Sequence, residues 1–112
     1  MAKFKRVNDQ YTTQINAYCT ATAQLHVGDV VSFNSNTGEA VKLTDLASCV
    51  TAVGSGLQVY IIAQGDAVTE KTGTDYKTYT VSTLVDMTGH QTDGQEKIIV
   101  AYLVKDLTNI QF

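Results

Sequence analysis

The sequence predicts an all-β protein, a small antiparallel β-barrel or β-sandwich of about eight strands. Three observations lead there. Apolar residues recur with a period of two through most of the chain, not with the 3.6 of a helix. Turn signals built on Gly, Asp, Asn and Ser interrupt these runs at regular spacing. The composition is rich in Thr, Val and Tyr, has no Pro and is only 17% charged, which suits a pleated surface, where β-branched side chains give up little freedom. With 112 residues, 44% of them hydrophobic, there is material for one domain with one sizeable core. The chain divides into a basic N-terminal arm over 1–10, a β-domain over 11–104 and an apolar C-terminal tail over 105–112.

From Tyr11 to His26 the odd positions (Tyr11, Thr13, Ile15, Ala17, Cys19, Ala21, Ala23, Leu25) are mostly apolar and small, and the even ones almost wholly polar. This predicts one long strand or two collinear ones with the odd side inward. Ile15, Cys19 and Ala23 also fit a helical spacing, but the intervening threonines weigh against it. Gly28-Asp29 turns the chain. Val30–Asn34 and Glu39–Leu43 then flank Ser35-Asn36-Thr37-Gly38, a hairpin signal with Gly placed for positive φ.

Thr44-Asp45-Leu46-Ala47 reads either as a short helical turn capped by Thr44 or Asp45, or as a plain loop. Cys49–Val53 reads as a short strand, closed by Gly54-Ser55-Gly56. Leu57–Ala63 is apolar on both faces except at Gln58, which predicts a strand covered on both sides. After a second Gly-Asp corner at Gly65-Asp66 come a short strand (Ala67–Glu70) and a polar loop around Gly73 (Lys71–Asp75). An alternating strand follows over Tyr76–Val85. Asp86–Glu96 reads as a long exposed hairpin loop and the most mobile part of the chain. Lys97–Val104 is again apolar on both faces, and Leu107, Ile110 and Phe112 make the tail apolar.

The residues offer little chemistry. His26 and His90 lack metal-ligand partners at i+2 or i+4 and read as solvated. Cys19 and His26 fall on opposite faces of their predicted strand, which argues against a Cys–His nucleophile. Cys19 and Cys49 read as buried free thiols of a reducing cytoplasm, with a single Cys19–Cys49 bridge as the alternative. The acidic residues stand singly at turns and strand ends, where side-chain bonds to nearby backbone N–H groups explain them. Calcium-loop, P-loop and dinucleotide fingerprints are missing. The sequence therefore assigns no catalytic residue, no cofactor and no metal.

A net charge of -3 argues against nucleic acid or an anionic membrane as partner. No apolar run approaches the roughly 20 residues of a membrane span, and no apolar segment follows the charged start as in a secretory signal. Tyr60, Tyr76, Tyr79 and Tyr102 suggest base stacking on an OB-type barrel, but no basic groove accompanies them. A small β-barrel module binding single-stranded nucleic acid or carbohydrate is the alternative reading.

Three segments together resemble the small auxiliary capsid proteins of tailed bacteriophages, namely decoration (cement) proteins and the head-binding domains of head fibres. They are Gly28-Asp29-Val30-Val31, Tyr60-Ile61-Ile62-Ala63-Gln64-Gly65-Asp66-Ala67-Val68 and Ile99-Val100-Ala101-Tyr102-Leu103-Val104-Lys105-Asp106. The resemblance implies a non-enzymatic structural protein of the virion, made in the host cytoplasm and docked on the major capsid protein at the capsid surface. It also implies a homo-oligomer, a trimer being favoured, or a place at capsomer junctions. The chain has no long repetitive shaft after its β-domain, which favours a compact decoration protein over a head fibre.

Two strands apolar on both faces and an apolar tail call for more cover than one small barrel supplies, so a neighbouring chain is expected to provide it. The interface candidates are Tyr60 and Ile62, or Ile99 and Leu103, at the seam, with Ile110 and Phe112 in the tail. Lys3, Lys5 and Arg6 form either a solvated terminus or an arm that reaches an acidic neighbour.

Overall fold

A central antiparallel sheet organises the chain. The computed structural model describes residues 3–4, 12–20, 24–80, 82–92 and 94–112. The elements run β1 (Lys3–Phe4), β2 (Thr12–Ala17), β3 (Gln24–His26), β4 (Val30–Phe33), β5 (Ala40–Leu43), helix α1 (Leu46–Gly54) and β6 (Gln58–Ile62). There follow β7 (Ala67–Thr72), β8 (Asp75–Thr80), β9 (Leu84–Asp86), β10 (Lys97–Leu103), a 3-10 turn at Leu107–Asn109 and β11 (Ile110–Gln111). The central sheet has the order β2-β10-β6-β4-β5, and β1–β11, β3–β9 and β7–β8 form separate two-stranded pairs. The all-β expectation holds at the level of class: the protein is mostly strand, paired antiparallel, with one short helix.

The sheet is not closed into a barrel. A parallel bridge, Tyr18 with Glu39, ties its two edges at one end. There the Tyr18 N–H donates to the Gly38 carbonyl and the Ala40 N–H to the Tyr18 carbonyl, each at 2.8 Å.

Register explains why β6 needs two covers. Val31, Tyr60 and Leu103 form one cross-strand row, and Val30, Ile61 and Tyr102 the next, on the opposite face. On the first face Ile15, Phe33, Tyr60, Ile62 and Ile99 are closed over by Leu25, Val85 and Met87 from the β3–β9 side. On the second face Val30, Val59 and Ile61 meet Cys49 and Ala52 of α1, with Val104 and Ile110 from the C-terminal end. Fully burying such apolar side chains stabilises by about 1.5–3 kcal/mol each.

The helix corrects the expected strand at Cys49–Val53. Asp45 is its N-cap and accepts from the Ser48 N–H at 2.7 Å, while the Ser48 hydroxyl returns to the Asp45 backbone, completing a capping box. These bonds hold the Asp45 carboxyl below its ordinary value, the backbone bond contributing most. Cys49 and Ala52, three residues apart, turn inward together, a spacing that a strand cannot place on one face. The helix ends in a Schellman arrangement: Gly56, at φ +85°, donates to Val53, and Leu57 donates to Ala52.

The phase assigned to the first long run holds at Ile15, Ala17, Cys19 and Leu25, all buried. Tyr18 is buried as well, because the chain leaves the sheet there for the bridge to Glu39. The run is two strands in different sheets, β2 and β3, and Tyr11, Ala21 and Ala23 lie outside the described residues. The predicted loop at Lys71–Asp75 shrinks to Gly73-Thr74, with Thr72 and Asp75 already paired. β10 differs from its prediction on one face. Ile99 and Ala101 are buried, whereas Ile98 is 62% exposed.

Both Gly-Asp corners are structural joints. Asp29, only 7% exposed, accepts from the His26 N–H at 2.9 Å and lies 3.7 Å from the Lys42 ammonium. Asp66 accepts from the Asp86 N–H at 3.0 Å and pairs with the Lys97 ammonium at 2.6 Å, and Lys97 also donates to the Asp86 carbonyl. Gly65 is required for contact rather than for φ, since a Cβ there would sit 1.7 Å from the Ser82 carbonyl oxygen. Gly65→Ala is therefore expected to cost at least about 2 kcal/mol through overpacking against backbone. Gly54→Ala, whose Cβ would meet nothing within 4 Å, should instead stabilise the helix, by about 0.5–1 kcal/mol. Urea denaturation of the two variants reads both signs.

Candidate functional site

Two surfaces stand out once the cores are assigned. The first is the outer side of α1. Leu46, Val50 and Val53 recur at i, i+4 and i+7 and are each about half exposed (50%, 56% and 48%). The inward Cys49 and Ala52 account for the helix's attachment, and this outer stripe is what remains. Ile98 lies on the same side of the sheet, as does the half-buried Val100, because they share a face with Tyr102 in the row of Ile61 and Val30. An apolar residue on a strand face and three on a helix face, all on one side of a small protein, mark an interaction surface better than scattered exposed side chains do.

The second surface is a groove of about 510 Å³ between β2 and the β4–β5 turn. Gln14 and Asn16 stand on the β2 side, Ser35, Asn36 and Thr37 on the turn side, and Glu96 at the approach to β10. Phe33 and Tyr60 lie at its base, packed edge-to-face with ring centroids 5.9 Å apart. The turn is held by Asn34, whose side-chain oxygen accepts from the Asn36 and Thr37 N–H groups at 2.9 and 3.3 Å. Gly38, at φ +84°, brings Glu96 in close: a Cβ there would lie 2.7 Å from the Glu96 carboxylate and 3.6 Å from the Asn16 carbonyl.

The residues singled out in the sequence fall elsewhere. Tyr60, Ile62, Ile99 and Ile110 are buried in the protein's own cores, and Leu103 packs against the first of them. The second face of β6, for which the sequence suggests a neighbouring chain, is covered by α1 of the same chain. Phe112 is 49% exposed. Lys3 pairs through its backbone with Gln111, so the N-terminal arm meets the tail there. Lys5 and Arg6 lie outside the described residues. Both surfaces escaped the sequence reading. The groove has a faint signal in the polar even positions of β2 beside the Ser-Asn-Thr turn, and the helix stripe has none while Cys49–Val53 reads as a strand.

Comparison with protein-family models, with curated proteins and with solved structures finds no match.

Cys19 and Cys49 are both free and buried, one in each core, so the central sheet separates them and a bridge between them is excluded. Burial pushes both thiols up, with Glu39 adding for Cys19 and Asp45 for Cys49. His26 is largely exposed beside Asp29. His90 departs from its solvated reading: its ring Nδ1 is enclosed without a hydrogen-bond partner among the described residues, and its backbone bonds Met87 and Cys19. Among the described residues, no three His, Cys, Asp or Glu side chains converge as a metal site. No described helix is long and apolar enough to cross a membrane. A thiol reagent at pH 8 should modify both cysteines at least about tenfold more slowly in the native protein than in the unfolded chain. Fast labelling of either native thiol would contradict this placement.

Proposed function

We propose that this protein is a non-enzymatic docking domain, an auxiliary (decoration or cement) protein that binds the major capsid protein on the outside of a phage capsid shell. The outward apolar stripe of α1, Leu46-Val50-Val53, carries this reading. A helix that spends Cys49 and Ala52 on its own sheet and still offers three large apolar side chains has a second face to cover, and a partner surface covers it. The likeness of the two Gly-Asp corner segments and the β10 segment to phage auxiliary capsid proteins supplies the class of partner. Both corners serve as joints and both thiols are enclosed, so the residues that first suggest chemistry have structural work already. Self-association, with a trimer favoured, belongs to the same proposal.

Capsids assembled without this protein provide the test. The purified protein should co-sediment with them and saturate, whereas Val50→Asp should weaken binding at least about tenfold, as expected for a charge placed in an apolar contact, with its melting curve unchanged. Failure of the natural protein to co-sediment would sink the capsid reading. Undiminished binding by Val50→Asp would remove α1 from the interface.

A further inference from the structure

We propose that the groove between β2 and the β4–β5 turn binds a neutral polyhydroxylated ligand, a short stretch of glycan. The docking role does not depend on this, and the groove's role does not depend on docking.

Four features of the groove lead to that class. Its volume of about 510 Å³ lies within the roughly 300–1,000 Å³ usual for small-ligand sites. Polar side chains on its walls are unspent: the Asn36 carboxamide, the Ser35 hydroxyl and the Glu96 carboxylate make no hydrogen bond or ion pair among the described residues. Carboxamides offer donors and acceptors side by side, which matches vicinal hydroxyls, themselves both donor and acceptor.

Its charge is selective. Glu96 is the one charged residue among the described lining residues, and no Lys, Arg or His joins it. A phosphate, sulfate or carboxylate would meet repulsion and no counter-charge, whereas a hydroxyl would donate to the carboxylate in a charge-assisted bond. Its shape is fixed beforehand. The Asn34 side chain pins the turn, the Gly38 N–H donates to the Asn34 carbonyl at 2.7 Å, and the Glu39 N–H donates to the Thr37 hydroxyl at 3.3 Å. Little ordering is then left for binding. Phe33 and Tyr60 are buried beneath the groove and packed on each other, so its base is rigid as well, and the Tyr60 hydroxyl is held by Gln58 at 3.1 Å.

The experiment is an amide NMR titration of the isotope-labelled full chain. The probes are the methyl glycosides of glucose, galactose, mannose and N-acetylglucosamine, with inorganic phosphate as the anionic comparison. At least one glycoside should shift the amides of Gln14, Asn16, Ser35–Gly38 and Glu96 saturably, and phosphate should leave them in place. Glu96→Gln should weaken that glycoside about tenfold, the worth of one charge-assisted bond, with the rest of the spectrum unchanged. Asn36→Ala, which leaves the charge intact, should also weaken it. The proposal is overturned if no glycoside shifts these amides, if phosphate shifts them comparably, or if both variants bind as the natural chain does.

Discussion

A strand that carries Val59 and Ile61 on one face and Tyr60 and Ile62 on the other must be enclosed twice, and the fold is the answer to that demand. One enclosure is the β3–β9 pair, which lays Leu25 and Val85 over the face that carries Tyr60 and Ile62. The other is α1, which lays Cys49 and Ala52 over β6 and is followed in the same cluster by Val104 and Ile110. The two Gly-Asp corners stand where β6 and its neighbour β4 join the rest of the chain. Asp29 stabilises the turn into β4, and the Asp66–Lys97 pair ties the exit of β6 to β9 and to the start of β10. A partly buried ion pair that also satisfies the Asp86 N–H and carbonyl holds geometry more than it adds stability.

What the sequence made legible follows from period two, and what it hid follows from tertiary choices that period cannot encode. Ile15, Ala17, Cys19 and Leu25 point inward as the alternation requires. The doubly apolar β6 was readable for the same reason. α1 was not: Val50, Thr51 and Val53 favour a strand, and the capping box uses Ser48 at N3, where Glu or Gln would have announced it. Burial of Cys49 and Ala52 against β6 outweighed that local preference. β10 looked doubly buried because Ile98 and Val100 are apolar. Whether a helix covers that end of the face depends on where α1 ends, and the composition of β10 does not contain that information.

Tyr60 and Ile62 drew attention as a seam, but they are occupied inside the protein, and the question of cover passes to the next layer out. That layer is the Leu46-Val50-Val53 stripe and the neighbouring Ile98. The groove differs in kind, with polar walls that include Ser35, Asn36 and Glu96. The β7–β8 pair, exposed from Thr69 to Lys77, adds a ribbon whose Lys71 ammonium lies 5.5 Å from the Tyr76 ring centroid.

The central claim is that this chain covers β6 on both faces by itself. Native-state hydrogen exchange of the dilute protein, repeated over a range of concentrations, tests it most directly. The account predicts that the amides of Tyr60, Ile61 and Ile62 are among the slowest in the chain, opening only with global unfolding, and that their protection is the same at every concentration. Exchange as fast as that of the β7–β8 ribbon, or protection that climbs with concentration, would contradict it and show that another copy supplies the cover.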